Sequence, residues 1–195
     1  MKNKFFYEER NAPTLLASHL LSLLPMHHDP IVIVCIGTDR STGDSLGPLV
    51  GTMLKEKQIS PFHVYGTLEE PIHAVNLEEK LKEIKMMHKN GFIIAVDACL
   101  GKLKSIGMIT VEKGPLKPGA GVNKQLPPVG DIHITGVVNV SGFMEFFVLQ
   151  NTRLHLVIEM AQSIANGIYE AVQQIRKQQR LTSLKWDESQ YKLFD

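Results

Sequence analysis

The sequence predicts an α/β fold: a three-layer α/β/α domain around a mostly parallel or mixed sheet. Three observations carry that expectation. Two all-apolar runs, residues 31–36 and 92–96, are rich in β-branched types, as strands buried on both faces are. Helical patterns separate the strand patterns, which is the alternation of βαβ units. The first run also leads through a polar loop, GTDRSTGD, directly into apolar residues at helical spacing: Leu46, Leu49, Val50, Met53 and Leu54. In open α/β sheets such a loop lies at the carboxyl end of a strand, where ligands bind.

Taken in order, residues 12–24 alternate at helical spacing, with Pro13 in the first turn and Pro25 as the stop. Residues 31–36 form the first buried strand, between Pro30 and Gly37. A helix follows from about 44 to 57; it opens on Asp44 and closes on a Lys-rich turn, both of which suit the helix dipole. Residues 62–65 suit a short strand. Residues 74–90 are amphipathic through Val75, Leu77, Leu81, Ile84 and Met87, with Gly91 as a C-terminal stop. The strand at 92–96 is expected to end at Asp97. Another strand is expected over 106–111. Residues 114–130 hold four prolines and four glycines and read as a long loop, a type that often serves as a functional lid. Residues 131–140 alternate as a strand. Ser141 or Gly142 would open a helix through Gln150. A strand over 153–158 and a long helix over 159–180 complete the pattern. The whole chain, 1–195, reads as one domain with an N-terminal helix and a C-terminal polar tail at 181–195.

Composition removes several function classes. Lys plus Arg number 21 against 20 for Asp plus Glu, a net charge of +1, so no nucleic-acid footprint is expected. No apolar run approaches the roughly 20 residues that span a bilayer, and the N-terminus lacks a signal-peptide core, so a cytoplasmic protein is expected. Two cysteines, Cys35 and Cys99, cannot supply paired zinc ligands and read as buried thiols.

Chemistry concentrates on two carboxylates. Asp97 directly follows FIIAV, and a carboxylate at the end of a buried strand is costly unless paired, hydrogen-bonded or bound to metal. Asp44 lies where the first loop becomes helix. Parallel strands starting at Ile31 and Phe92 put both acids at one edge of the sheet, facing one crevice. Taken singly, Asp44 reads equally well as a helix N-cap, and a loop-ordering carboxylate is the lesser reading of Asp97. Together they can divide acid and base roles, or hold a metal that activates water.

The segments IVIVCIGTDRSTGDSLGP and FIIAVDACLG, followed by GDIHITGVVNVSGF, resemble the motifs of the germination protease and hydrogenase-maturation protease superfamily, and in particular the YyaC-type sporulation proteins of spore-forming bacteria. The resemblance spans about residues 30–175. It implies a phosphorylase/hydrolase-like fold and peptide-bond hydrolysis without a Ser or Cys nucleophile. The two aspartates proposed as catalytic in the germination protease fall on Asp44 and Asp97. In the hydrogenase-maturation branch an acid, an Asp and a His bind the nickel of the substrate; the acids again match Asp44 and Asp97, and element order makes His133 the candidate third ligand. Residues 119–124 resemble the GVGN-type loop of the germination protease.

Other residues are weighed against bland alternatives. Arg40 could orient a substrate carbonyl or stay a solvated loop residue. Asn123 and Lys124, in the Gly/Pro loop, and Asn139 are candidate substrate-binding groups. Ser41 and Thr42 are expected to turn the first loop through side-chain-to-backbone bonds, and Ser141 to cap the next helix. His27 and His28 suit a surface turn better than a metal pair, and no G-x-S-x-G elbow is present. The expected function is a sporulation-associated, peptidase-like hydrolase using Asp44 and Asp97 on a peptide or protein substrate, in the cytosol of the forespore or mother cell. A metal-dependent maturation protease using Asp44, Asp97 and His133 with a divalent metal is the alternative, beside a non-catalytic peptide binder. The apolar helices are compatible with a homo-oligomer.

Overall fold

The computed structural model describes residues 3–25, 30–119 and 126–191, with residues 181–191 as backbone only. Its elements run β1 (Lys4–Phe6), α1 (Ala12–Leu23), β2 (Ile31–Cys35), α2 (Leu46–Glu56), β3 (His63–Tyr65), α3 (Leu77–Met87), β4 (Phe92–Gly101), β5 (Met108–Lys113), β6 (Ile132–Val140), α4 (Glu145–Gln150) and α5 (Leu154–Tyr191). One six-stranded sheet has the order β1-β5-β6-β4-β2-β3. β3, β2, β4 and β6 are mutually parallel, while β5 and β1 add an antiparallel edge. The sheet is therefore mixed, and the expected α/β class holds.

Period-2 alternation explains why both sheet faces need cover. Ile31, Ile33 and Cys35 of β2 and Ile94, Val96 and Ala98 of β4 join one apolar cluster with α1, α2 and α5. Val32, Val34, Ile93 and Ala95 point the other way, into a second cluster with Leu77, Leu81 and Ile84 of α3. Helix α2 lies close against β2 because position 47 is glycine: a Cβ there would come within 2.1 Å of the Ile36 carbonyl oxygen.

Several expectations need correction. Residues 153–158 are not a strand, because α5 begins at Leu154. Their alternation also fits a helical face, and Val157, Met160, Ala161 and Ile164 share that face fully buried. β4 does not stop at Asp97; pairing with β6 carries it to Gly101 across an irregularity between Cys99 and Leu100. β1 escaped notice because it is three residues long, yet it brings Phe5 into the core at 1% exposure. Helix α4 opens at Glu145, with Met144 in the left-handed conformation before it, so Ser141 is not its cap. The tail continues as helix to Tyr191. Within the long Gly/Pro loop, Leu116 and Val129 form an antiparallel bridge and both are buried.

Candidate active site

The carboxyl ends of all four parallel strands deliver residues to one cavity of about 490 Å³. β2 supplies residues 37–41 and Asp44; β3 leads to Pro71, His73, Ala74 and Val75; β4 supplies Asp97 and Ala98; the chain after β6 brings Phe146 and Gln150 on α4. Strand ends of parallel sheets favour such a crevice, because helices cover the faces and leave the edge open.

The first loop is folded tightly. Gly37 donates its N–H to the Ile72 carbonyl at 2.8 Å, and Thr38 donates to the Asp44 carbonyl at 3.1 Å. Gly37 has φ +144°, and a Cβ there would lie 2.0 Å from the Asp44 carbonyl oxygen. Only glycine admits that approach. Asp44 then falls in the 3₁₀ turn Gly43–Ser45 ahead of α2. Its side chain makes no cap, so the helix-capping reading does not describe it. Loop turning falls to other hydroxyls than expected: Thr38 Oγ1 accepts from the Arg40 N–H, and Ser45 Oγ donates to the Thr42 carbonyl. The Ser41 hydroxyl is buried without a partner and lines the cavity.

Asp97 sits inside β4, not in a loop. It continues the face of Ile93 and Ala95 towards the carboxyl edge and is 8% exposed. Its Oδ1 accepts one hydrogen bond, from the Ala98 N–H at 2.8 Å. Burial pushes its carboxyl well above the ordinary range, the charge of Asp44 pushes it further, and the Ala98 bond opposes both. Burial alone raises Asp44. The charge of Asp44 therefore reaches Asp97 and helps to hold its proton. Next along β4, Cys99 is half-buried, and burial with the nearby Asp97 charge pushes its thiol up to about 11. That thiol is neutral at physiological pH and ill suited to nucleophilic attack. Cys35, by contrast, is fully buried as expected.

Arg40 is exposed and lines the cavity. Asn139 does not: its Nδ2 donates to the Val148 carbonyl and to Thr152 Oγ1, and its Oδ1 accepts from the Val140 N–H, so the amide ties β6 to α4. His133 is also elsewhere. Its Nδ1 pairs with the Gly114 carbonyl at 2.9 Å, and its Nε2 is 3.8 Å from Glu112. It is absent from the cavity lining, so the expected three-ligand set of Asp44, Asp97 and His133 is not assembled. No other group of three His, Cys, Asp or Glu side chains suited to a metal occurs among the described residues. Asn123 and Lys124, like His27 and His28, lie outside the described residues. His73, Val75 and Phe146 are lining residues that sequence reasoning missed. Applying the strand-end rule to β3 and β6, as it was applied to β2 and β4, would have found their segments.

Sheet, covering helices and acid-lined edge together define an α/β protein with the fold of hydrogenase maturation proteases. The crystal structure of a [NiFe] hydrogenase maturation protease, HycI from Thermococcus kodakarensis KOD1, superimposes with a TM-score of 0.57 over 80% of this chain and 99% of that one. Identity is 21%, so the likeness is one of fold. Residues 4–167 match the model of the DUF1256 family, described as a protein of unknown function, and the chain belongs to that family. A relative in Bacillus subtilis (strain 168), called "Uncharacterized protein YyaC", is 59% identical over 172 residues, 88% of this chain and 82% of that protein. No helix among the described residues is long and apolar enough to cross a membrane.

Proposed function

We propose that the chain is a peptidase-like hydrolase in which Asp44 and Asp97 activate water without a covalent intermediate. The observation that carries this reading is that both acids, from separate strand ends, line one cavity and hold raised proton affinities. Asp97, the more strongly shifted, keeps its proton and is the acid. Asp44 ionises first and is the base. Water attacks the peptide carbonyl carbon, and its proton passes to Asp44. As the C–N bond breaks, Asp97 gives its proton to the departing amine nitrogen, leaving a carboxylic acid and an amine. Arg40, exposed on the cavity wall, is the group that orients the substrate carbonyl in this reading. The described residues do not fit a three-ligand metal centre, and no step is assigned to one.

The resemblance of the two motifs is what points to sporulating cells and to a peptide or protein substrate in their cytosol. The test is an extract of such cells incubated with the protein, with new N-termini read by mass spectrometry. Asp44→Asn and Asp97→Asn should each remove the new termini while preserving the fold, and cleavage that persists in both would end this mechanism. A chelator should leave cleavage intact.

A further inference from the structure

Water activation accounts for only part of the cavity, because the other part is apolar and exposed. Val75 is 86% exposed and Phe146 is 52% exposed, and both line the cavity that holds Asp44 and Asp97. They stand on different segments, and hydrogen bonds order the backbone of each. Asn76 knits the segment carrying Val75: its Oδ1 accepts from the His73 N–H at 2.8 Å, and its Nδ2 donates to the Pro71 carbonyl at 3.0 Å. On α4, Phe146 packs edge-to-face on Phe147 with centroids 5.7 Å apart. Glu145 Oε1 accepts from the Gly142 N–H, and Asn139 reaches the Val148 carbonyl, so both ends of the helix are tied down. Apolar side chains held outward on ordered backbone, beside reactive groups, mark surface that a ligand covers.

Resting on the hydrolase reading, we infer that this wall selects the substrate: the cavity takes an extended peptide and seats a large apolar side chain beside the scissile bond, between Phe146 and Val75. The buried Ile36 and Ala98 continue the apolar surface at the strand ends. A carboxylate placed there would lose hydration and face the negative charge of Asp44, so acidic side chains are the most strongly rejected.

The experiment separates selection from chemistry. Labelled decapeptides, identical except for a central Leu, Phe, Ser or Asp, are titrated by fluorescence anisotropy against the Asp97→Asn protein, whose apolar walls are intact. The Leu and Phe peptides should bind at least about tenfold more tightly than the Ser peptide, with Asp the weakest. Adding Val75→Ser or Phe146→Ser, both at exposed positions, should cost the Leu and Phe peptides about three- to tenfold and leave the Ser peptide unchanged. Equal binding of all four peptides, no binding of any, or indifference to both wall substitutions would overturn the inference, even if the wild-type protein cleaves peptides. A wild-type protein that cleaves none while the preference persists would sink the hydrolase reading and support the apolar pocket. Sedimentation is the last arm: if Phe146→Ser converts a dimer to a monomer and leaves peptide binding unchanged, the wall joins two copies of this chain and the inference fails.

Discussion

The open edge of the sheet and the β5–β6 corner hold similar polar residues in opposite circumstances. On β4, Asp97 pairs across the sheet with Thr135, and two residues earlier on β6 stands His133. Beside β5, His133 meets Gly114 and Glu112, and at the far end of β6 Asn139 spends its whole amide on Val140, Val148 and Thr152. At the open edge Asp97 has one backbone N–H, and the buried Ser41 hydroxyl has nothing. Buried polar groups are normally satisfied. Because Ser41 and Asp97 line the cavity, their unused hydrogen-bonding capacity is available to a substrate.

Activity gives the widest predicted separation between the two regions. Asp44→Asn and Asp97→Asn should each slow peptide cleavage by about 10²- to 10⁴-fold, the usual worth of a positioned acid or base. His133→Ala should leave the rate per folded molecule nearly unchanged. A His133→Ala protein that folds but has lost activity would break the comparison and return the three-ligand metal reading to favour.

Stability should run the other way. Asn139→Ala and His133→Ala each strand backbone or side-chain partners and should cost about 1–2 kcal/mol in urea unfolding. At the open edge, Asp97→Asn should stabilise the protein near neutral pH. The folded carboxyl binds its proton more tightly than the unfolded one, so stability drains away as pH rises through the gap between the two affinities. Asparagine has no such loss. Unfolding curves at about pH 8 and about pH 3 should show the advantage of the variant at the former and its near disappearance at the latter, where the unfolded carboxyl is itself mostly protonated.

Smallest of all is the effect at Met144, at φ +56° just before α4. Met144→Gly should relieve left-handed strain and raise stability by about 0.5–1 kcal/mol, read as a higher thermal midpoint. It also loosens the ground on which Phe146 stands, so any preference for apolar substrates should weaken as stability improves.

How much of this was legible in the sequence follows from the range of each signal. The runs around Ile33 and Ile94 announce central parallel strands because burial on both faces leaves no polar residue to obscure them. From those two strands alone, the meeting of Asp44 and Asp97 at one edge follows by topology. Period fails where two periods coincide, as in RLHLVI, which alternates yet supplies Val157 to a helical stripe. Length fails for β1, since three residues carry no pattern. Site membership fails for His133 and Asn139 because residue type does not reveal whether the fold has already used the side chain. Val75 reads as one of the core-facing residues of an amphipathic helix, and only its exposure distinguishes it.

Proton affinity at the paired acids is the quantity on which everything else rests, and carboxyl-carbon NMR titration of selectively labelled aspartates measures it. Asp97 should titrate well above the ordinary carboxylate range, and its midpoint should drop when Asp44 is replaced by Asn, because one of the two forces holding its proton has gone. An Asp97 that titrates in the ordinary range, or one that ignores the loss of Asp44, would contradict the account.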